Sequence, residues 1–479
     1  MNVSQRIIKN SIILNTSHVI SKLINLALIL VFTRMLGTEG FGIYNFSYAY
    51  VIIFMVLANL GINTLLTREI ARNKSQINLF LGKSIPLLII LSVIVLFVIN
   101  IPISFIRWDT TTKLAIRIFS LFLVFDNFSR HFIAVFRAFE KMEYEAFTNL
   151  IEKSLMLLVS LILWQLGYGL TTLLWSFVII EFLKTFSAYL FMKRFFEKIS
   201  WHWFNIESFK ILKEAYPFAL IVIFLTVSGR IDTIMLKIFH GDQMVGLYNA
   251  AHKLIESLFF IPENICLALF PALSVLSLSK EKNFQKVMHH ASTVLTLTAI
   301  PIGFGIFILA PQIIELLFEP EFSLASIPLR WLAIALSLIF IKYLYATTLN
   351  AIGKQHIFAI IAAISMIINC LLNYILIPPY DLLGASIATI ISEIFSMVWV
   401  IYYVTYYTQH KIPLAVFLKS VIASITMGLF LIQFHHWHII ILIAIAIILY
   451  LSILLILRTH TNIEFQYLIN IIRRKKEQA

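Results

Sequence analysis

The chain has 479 residues, 60% of them hydrophobic, 14% aromatic and only 13% charged, with a formal net charge of +13. That composition leaves too little polar surface for a soluble protein of this length and excludes the soluble classes. No basic stretch interleaves with base-stacking aromatics on a soluble domain, so the positive charge does not indicate a nucleic-acid partner.

About fourteen apolar stretches follow one another, at 12–36, 41–65, 84–104, 114–136, 146–166, 171–192, 215–238, 244–278, 287–310, 325–350, 357–377, 384–405, 415–434 and 439–458. About twenty residues at 1.5 Å rise cross a hydrocarbon core of about 30 Å. The expected fold is all-α, a polytopic membrane protein with about 14 transmembrane helices. Met1–Asn10 is short, and no small-x-small processing site follows, so no cleaved signal is expected. Basic residues alternate by side: roughly 23 Lys and Arg lie in the termini and one set of connections, against only Arg107 and Lys113 in the other. The excess places both termini in the cytoplasm and 311–326 outside. Cys266 and Cys370 lie in apolar spans and read as small hydrophobes rather than a disulfide or metal site.

An ionisable group at hydrocarbon depth usually faces water or a partner, so the charges inside the spans are the functional candidates. The first span carries Asn15, His18, Lys22 and Asn25 on one face, with Arg34 near its outer end. Lys22 and Arg34 have no acid in their own span, which makes them the sharpest candidates for an anionic ligand. The fourth span holds Asp126 and Arg130, the fifth Glu152 and Lys153, and the sixth Glu181 and Lys184. Asp126–Arg130 and Glu181–Lys184 have the spacing of local pairs, and the plainer alternative for Lys153, Lys184 and Lys342 is that they reach for the cytoplasmic headgroups. The seventh span holds Arg230 and Asp232. The eighth holds Asn249, His252, Glu256 and Glu263 on one face, with Lys253 beside them and Pro262 placed to kink the helix. Glu393 lies late in the twelfth. Trp201, Trp203, Phe204 and Phe209 in the connection 193–214, and the basic end of 463–476, suggest helices lying in the headgroup region.

The chain also repeats itself. GTEGFGIYN at 37–45 returns as GDQMVGLYN at 241–249, so that Gly37, Gly42, Tyr44 and Asn45 match Gly241, Gly246, Tyr248 and Asn249 at a spacing of about 204. Ala138 and Lys141 echo Ala351 and Lys354, and Glu181 echoes Glu393. Six spans per copy keep both copies in one orientation, which predicts two six-helix bundles related by a parallel pseudo-twofold axis, plus two C-terminal helices. The expected organisation is an N-terminal lobe at 1–192, a linker at 193–214, a second lobe at 215–405, a peripheral helix pair at 406–458 and a basic tail at 459–479.

No nucleophile elbow, P-loop, nucleotide loop or paired metal ligand appears, and the outer connections are too short for a catalytic domain, so neither an enzyme nor a cofactor is expected. His435, His436 and His438 read as an interfacial turn rather than a metal site.

Arg34-Met35-Leu36-Gly37, Phe41-Gly42-Ile43-Tyr44 and Thr67-Arg68-Glu69 resemble the start of polysaccharide-exporting flippases of the Wzx type. Arg230-Ile231-Asp232, Val245-Gly246-Leu247-Tyr248-Asn249-Ala250-Ala251 and Leu383-Gly384-Ala385-Ser386-Ile387-Ala388-Thr389 are similarly placed. These flippases belong to the multidrug/oligosaccharidyl-lipid/polysaccharide exporter superfamily, and the resemblance covers nearly all of the chain. It implies movement of a polyprenyl-diphosphate-linked oligosaccharide, such as an O-antigen unit, across the cytoplasmic membrane by alternating access. Contact with polysaccharide-assembly proteins, and H+ or Na+ as coupling ion, are open under that implication. The cavity cations expected for the diphosphate are Lys22, Arg34, Arg230 and Lys253. His18, Asn25, Asp126, Arg130, Glu152, Asp232, Asn249, Glu256, Glu263 and Glu393 are the polar or coupling candidates. Two rivals stay open: an ion-coupled small-molecule exporter and, against the short outer loops, a membrane glycosyltransferase or polymerase.

Overall fold

The computed structural model describes residues 3–195, 219–279, 282–410 and 412–458, so the interfacial helices expected within 193–214 and 463–476 lie outside the described residues, apart from 193–195. The described regular structure is helical. In chain order it comprises α1 (Val3–Asn59), α2 (Ile62–Arg72), α3 (Ile77–Phe105), α4 (Thr110–Ala138), α5 (Met142–Gln165), α6 (Leu170–Phe195), α7 (219–228) and α8 (Ile231–His240). It continues with α9 (Asp242–Ser257), α10 (Phe260–Ser279), α11 (Lys282–Leu317), α12 (Ser326–Ala351), α13 (Gln355–Thr408), α14 (Leu414–Gln433) and α15 (Ile439–Ile456). Helices are the natural choice here, because in hydrocarbon every backbone N–H and C=O must find its partner within the segment.

Among the described residues, 12 continuous helical stretches are long and apolar enough to cross a membrane. Two are double length: α1 runs for 57 residues with a non-helical break at Gly37, and α13 for 54 with a break at Asp381. Each holds enough chain for two crossings, which reconciles these stretches with the expected count of about fourteen spans. The seventh and eighth spans are interrupted, at Gly229–Arg230 and at Leu258–Phe259. The second interruption lies one turn before Pro262, where the proline ring would clash with the carbonyl four residues earlier.

The described chain forms two compact units, one of residues 1–253 with 362–385, the other of 254–361 with 386–479. In the first, α4 packs on α6, and α1 on α4 and α5. Leu66, Ile70, Leu81, Ile133, Val135 and Phe136 form one of its cores. In the second, α11 packs on α12 and α14. Helices α14 and α15 close over α11 through Leu309, Met427, Leu431 and Leu442, and Tyr450 Oη donates to the Leu297 carbonyl at 2.9 Å.

The first unit contains the opening helices of both repeat copies, and there the repeat becomes geometry. Gly37 (φ 65°, ψ −176°) and Gly241 (φ 85°, ψ −170°) make the same turn, in a backbone region essentially reserved for glycine. Asn45 Nδ2 donates to the Phe41 carbonyl at 2.8 Å and Asn249 Nδ2 to the Val245 carbonyl at 3.0 Å, the same bond in each copy. A Cβ on Gly42 would overlap the Asp242 carbonyl, and a Cβ on Gly246 would overlap that of Thr38. Thr38 and Asp242 are themselves repeat mates. The contact is therefore reciprocal, as it must be where two copies cross on a pseudo-twofold axis.

Candidate functional site

Beside that crossing, α1 carries Tyr48, half-buried and edge-on to Phe119 of α4, with ring centroids 5.8 Å apart. Two cations from the second copy converge on its ring. Arg230, at the interruption between α7 and α8, places its guanidinium carbon 5.6 Å from the centroid, and Lys253 of α9 places Nζ at 5.7 Å. Arg130 of α4 lies within electrostatic reach of the same tyrosine. Arg230 is in position because the helix stops beneath it: its N–H bonds back to the Val227 carbonyl at 3.1 Å in a single tight turn. Two cations over one aromatic ring, with a third in electrostatic reach, make a locally cationic site suited to an anion, and the ring quadrupole offsets part of their mutual repulsion.

Deeper between α4, α5 and α6 lies a cluster of charged groups. Lys184 Nζ sits 2.8 Å from Glu152, 3.2 Å from Glu181 and 3.9 Å from Asp126. Lys153 closes on Glu152 at 2.9 Å, and Arg130 Nε on Asp126 at 2.6 Å. Ser129 Oγ donates to Glu181 Oε1 at 2.9 Å, whereas Glu181 Oε2 is buried with no hydrogen-bond partner. A charge at membrane depth costs at least about 2.5 kcal/mol, which explains why these groups pair. The expectation that Lys153, Lys184 and Lys342 reach for headgroups is corrected. Each ends on a carboxylate instead, Lys342 on Glu393 in the second unit. A partner within reach makes the longer excursion unnecessary. Arg130 and Glu181 recur 212 residues on as Lys342 and Glu393, so the second copy keeps the cation–carboxylate pairing in reduced form.

The remaining candidates separate. Lys22 is half-buried on α1, as are His18 and Asn25. Arg34 is exposed, twelve residues on and about 18 Å along the helix, so Lys22 and Arg34 do not grip one phosphate together. Asp232 is buried and accepts from Tyr248 Oη at 2.6 Å and Asn373 Nδ2 at 2.7 Å. Asn249 is buried, and its Nδ2 bonds Thr233 Oγ1 at 3.1 Å as well as the Val245 carbonyl. Glu256 closes α9, and Glu263 is exposed on α10. Near the crossing, Lys237 pairs with Asp242 and lies 3.6 Å from Asp109. Burial pushes the Asp109 carboxyl up, but hydrogen bonds from Thr112 and the Lys237 charge hold it below its ordinary value. Among the described residues no His, Cys, Asp or Glu side chains group in threes to hold a metal. Tyr48 went unmarked in the sequence, and Glu181 and Lys184 were read there as a local pair, with the headgroups as the other reading of Lys184.

The polysaccharide biosynthesis protein family matches residues 7–277, more than half of the chain. The chain belongs to that family. A second family, MatE, matches residues 217–375. One relative is a probable low-salt glycan biosynthesis flippase of Haloferax volcanii, 26% identical over 190 residues, which is 39% of this chain and only 40% of that protein. Another is the capsular polysaccharide biosynthesis protein CapF of Staphylococcus aureus, 24% identical over 417 residues, 83% of this chain and 98% of that one. The lipid II flippase MurJ in an inward closed conformation shares the fold, with a TM-score of 0.75 and 18% identity over 93% of this chain and 98% of its own. An inward-facing multidrug resistance MATE family transporter of the MOP superfamily follows at TM-score 0.64 and 17% identity, over 81% and 96%. The family resemblance read from the motifs is thus borne out, and so is a two-repeat helical membrane fold.

Proposed function

We propose that this chain flips a polyprenyl-diphosphate-linked oligosaccharide across the cytoplasmic membrane, with both termini on the cytoplasmic side. The observation that carries the reading is the convergence of Arg230 and Lys253 on Tyr48, with Arg130 in reach, in a member of this family. A diphosphate has the charge for such a cluster: arginine can grip it by a fork and lysine as a point charge. The glycan needs a hydrated path, while the prenyl tail stays in the bilayer, so the head alone is carried across. The repeat about the Gly42–Gly246 crossing supplies two related halves for alternating access. The names of relatives support the substrate class: a glycan biosynthesis flippase, a capsular polysaccharide protein and a putative O-antigen transporter of Shigella dysenteriae. In this reading no covalent bond is made or broken, and membrane lipids and the lipid-linked glycan are the partners.

The MatE match over 217–375 favours one rival, an ion-coupled exporter of small molecules. Complementation separates the two. Expression in strains lacking their own glycan flippase should restore surface glycan. The Arg230→Ala/Lys253→Ala double variant, at equal membrane level, should lose at least nine-tenths of it. Drug resistance without restored glycan in any strain, or full export by the double variant, overturns the reading.

A further inference from the structure

The cluster between α4, α5 and α6 balances its charge only while Arg130 belongs to it. Three carboxylates, Asp126, Glu152 and Glu181, meet three cations, Arg130, Lys153 and Lys184. Exposure separates the members: the Glu181 side chain is 0% exposed and that of Lys184 7%, whereas that of Arg130 is 67% exposed. Arg130 is bound through Nε alone, and its two terminal NH2 groups make no hydrogen bond among the described residues. Its guanidinium thus joins two environments, Asp126, which it touches, and Tyr48, which lies within its electrostatic reach and carries Arg230 and Lys253 over its ring. The other charged groups near it are Arg137 and Glu145, paired with each other nearer the end of α4; α1 contributes Tyr48.

We propose that Glu181 is a protonation site linked to anion binding through Arg130 and Asp126. This rests on the reading of the cation cluster as a diphosphate site. An anion that takes the free fork of Arg130 draws the guanidinium from Asp126. Lys184, already 3.9 Å from Asp126, supplies the replacement charge and moves away from Glu181. The cluster then holds three carboxylates and two cations in a poorly hydrated interior. An uncompensated buried charge is neutralised by a proton rather than tolerated. Glu181 is the group that accepts it, because Oε2 is buried and unpartnered before the exchange begins. The step adds one solvent proton to a carboxylate oxygen and breaks no other covalent bond. Glu152 keeps Lys153 throughout and stays ionised. Anion binding and proton uptake therefore favour one another, and affinity rises as pH falls.

The test uses the full chain in detergent, with farnesyl diphosphate as probe. Calorimetric titrations in buffers of different ionisation enthalpy count the protons taken up per ligand bound. The wild type should take up about one proton more than Glu181→Gln, a variant that keeps the size and can still accept from Ser129. Equal uptake by the two proteins, with both binding the probe, overturns the proton site and leaves the anion site standing. A wild type that does not bind the probe removes the anion site and the proton site together. Infrared difference spectra of the wild type give a second readout that needs no variant: probe binding should create a protonated-carboxyl band. Its absence in a protein that binds overturns the proposal.

Discussion

Tyr48 lies under two cations, Arg230 and Lys253. Each cation–π contact contributes about 0.5–2 kcal/mol, so the ring holds Arg230 and Lys253 in place before an anion arrives. Tyr48→Phe keeps the ring face and should leave farnesyl diphosphate affinity within about threefold of wild type. Tyr48→Leu removes it and should weaken binding by about tenfold, equivalent to about 1.4 kcal/mol. An equal loss in both variants, measured by calorimetry, would move the role from the ring to the hydroxyl. The sequence revealed Arg230 and Lys253 because charge inside an apolar run is rare enough to notice. Tyr48 had no such signal, being one of 18 tyrosines with no pattern around it. Glu181 and Lys184 were visible as a local pair, which the structure contains, but not as part of a larger cluster. Three residues apart they look self-sufficient, and the carboxylates that share the lysine come from α4 and α5.

At the level of elements, the helices were legible because lipid imposes length and apolarity together, and the two double-length ones break at Gly37 and Asp381 between expected spans. The repeat was legible as letters, but what each letter does was not. Gly37 and Gly241 turn the chain, whereas Gly42 and Gly246 let two backbones touch, a difference that depends on where the partner copy lies. The interruption at Gly229–Arg230 gave no advance sign, since no proline marks it. From the crossing, Gly42→Val and Gly246→Val should each abolish glycan export while the protein still reaches the membrane. Either Cβ collides with a carbonyl of the other copy, and neither backbone can yield without parting the helices. Gly305→Ala serves as control, because its Cβ meets nothing within 4 Å and alanine favours the helix. Full export by both valine variants, at equal membrane level, would show that the close approach is dispensable.

For the whole molecule, two independent features bear on which side the cation cluster opens to. In the proposed orientation, which the basic asymmetry of roughly 23 residues against two supports, the termini are inside and the bends at Gly37 and Gly241 outside. Those bends adjoin the crossing of Gly42 on Gly246, where backbones meet too tightly for a side chain to pass, and Lys237 bridges Asp109 and Asp242 beside it. Under that proposed orientation the seal lies at the outer end and the cations around Tyr48 on its inner side, which predicts a site loaded from the cytoplasm, where lipid-linked glycans are assembled in the proposed function. Replacing Lys253 by cysteine in a Cys266→Ala/Cys370→Ala background provides one reporter thiol, since those two are the chain's only cysteines. A membrane-impermeant maleimide should label that thiol at least tenfold faster in inside-out vesicles than in intact cells. Adding Gly42→Val should narrow the difference, because the valine prevents the outer crossing from closing. Faster labelling from outside in the parent protein would reverse the orientation. Equal labelling with and without the valine would separate the crossing from control of access.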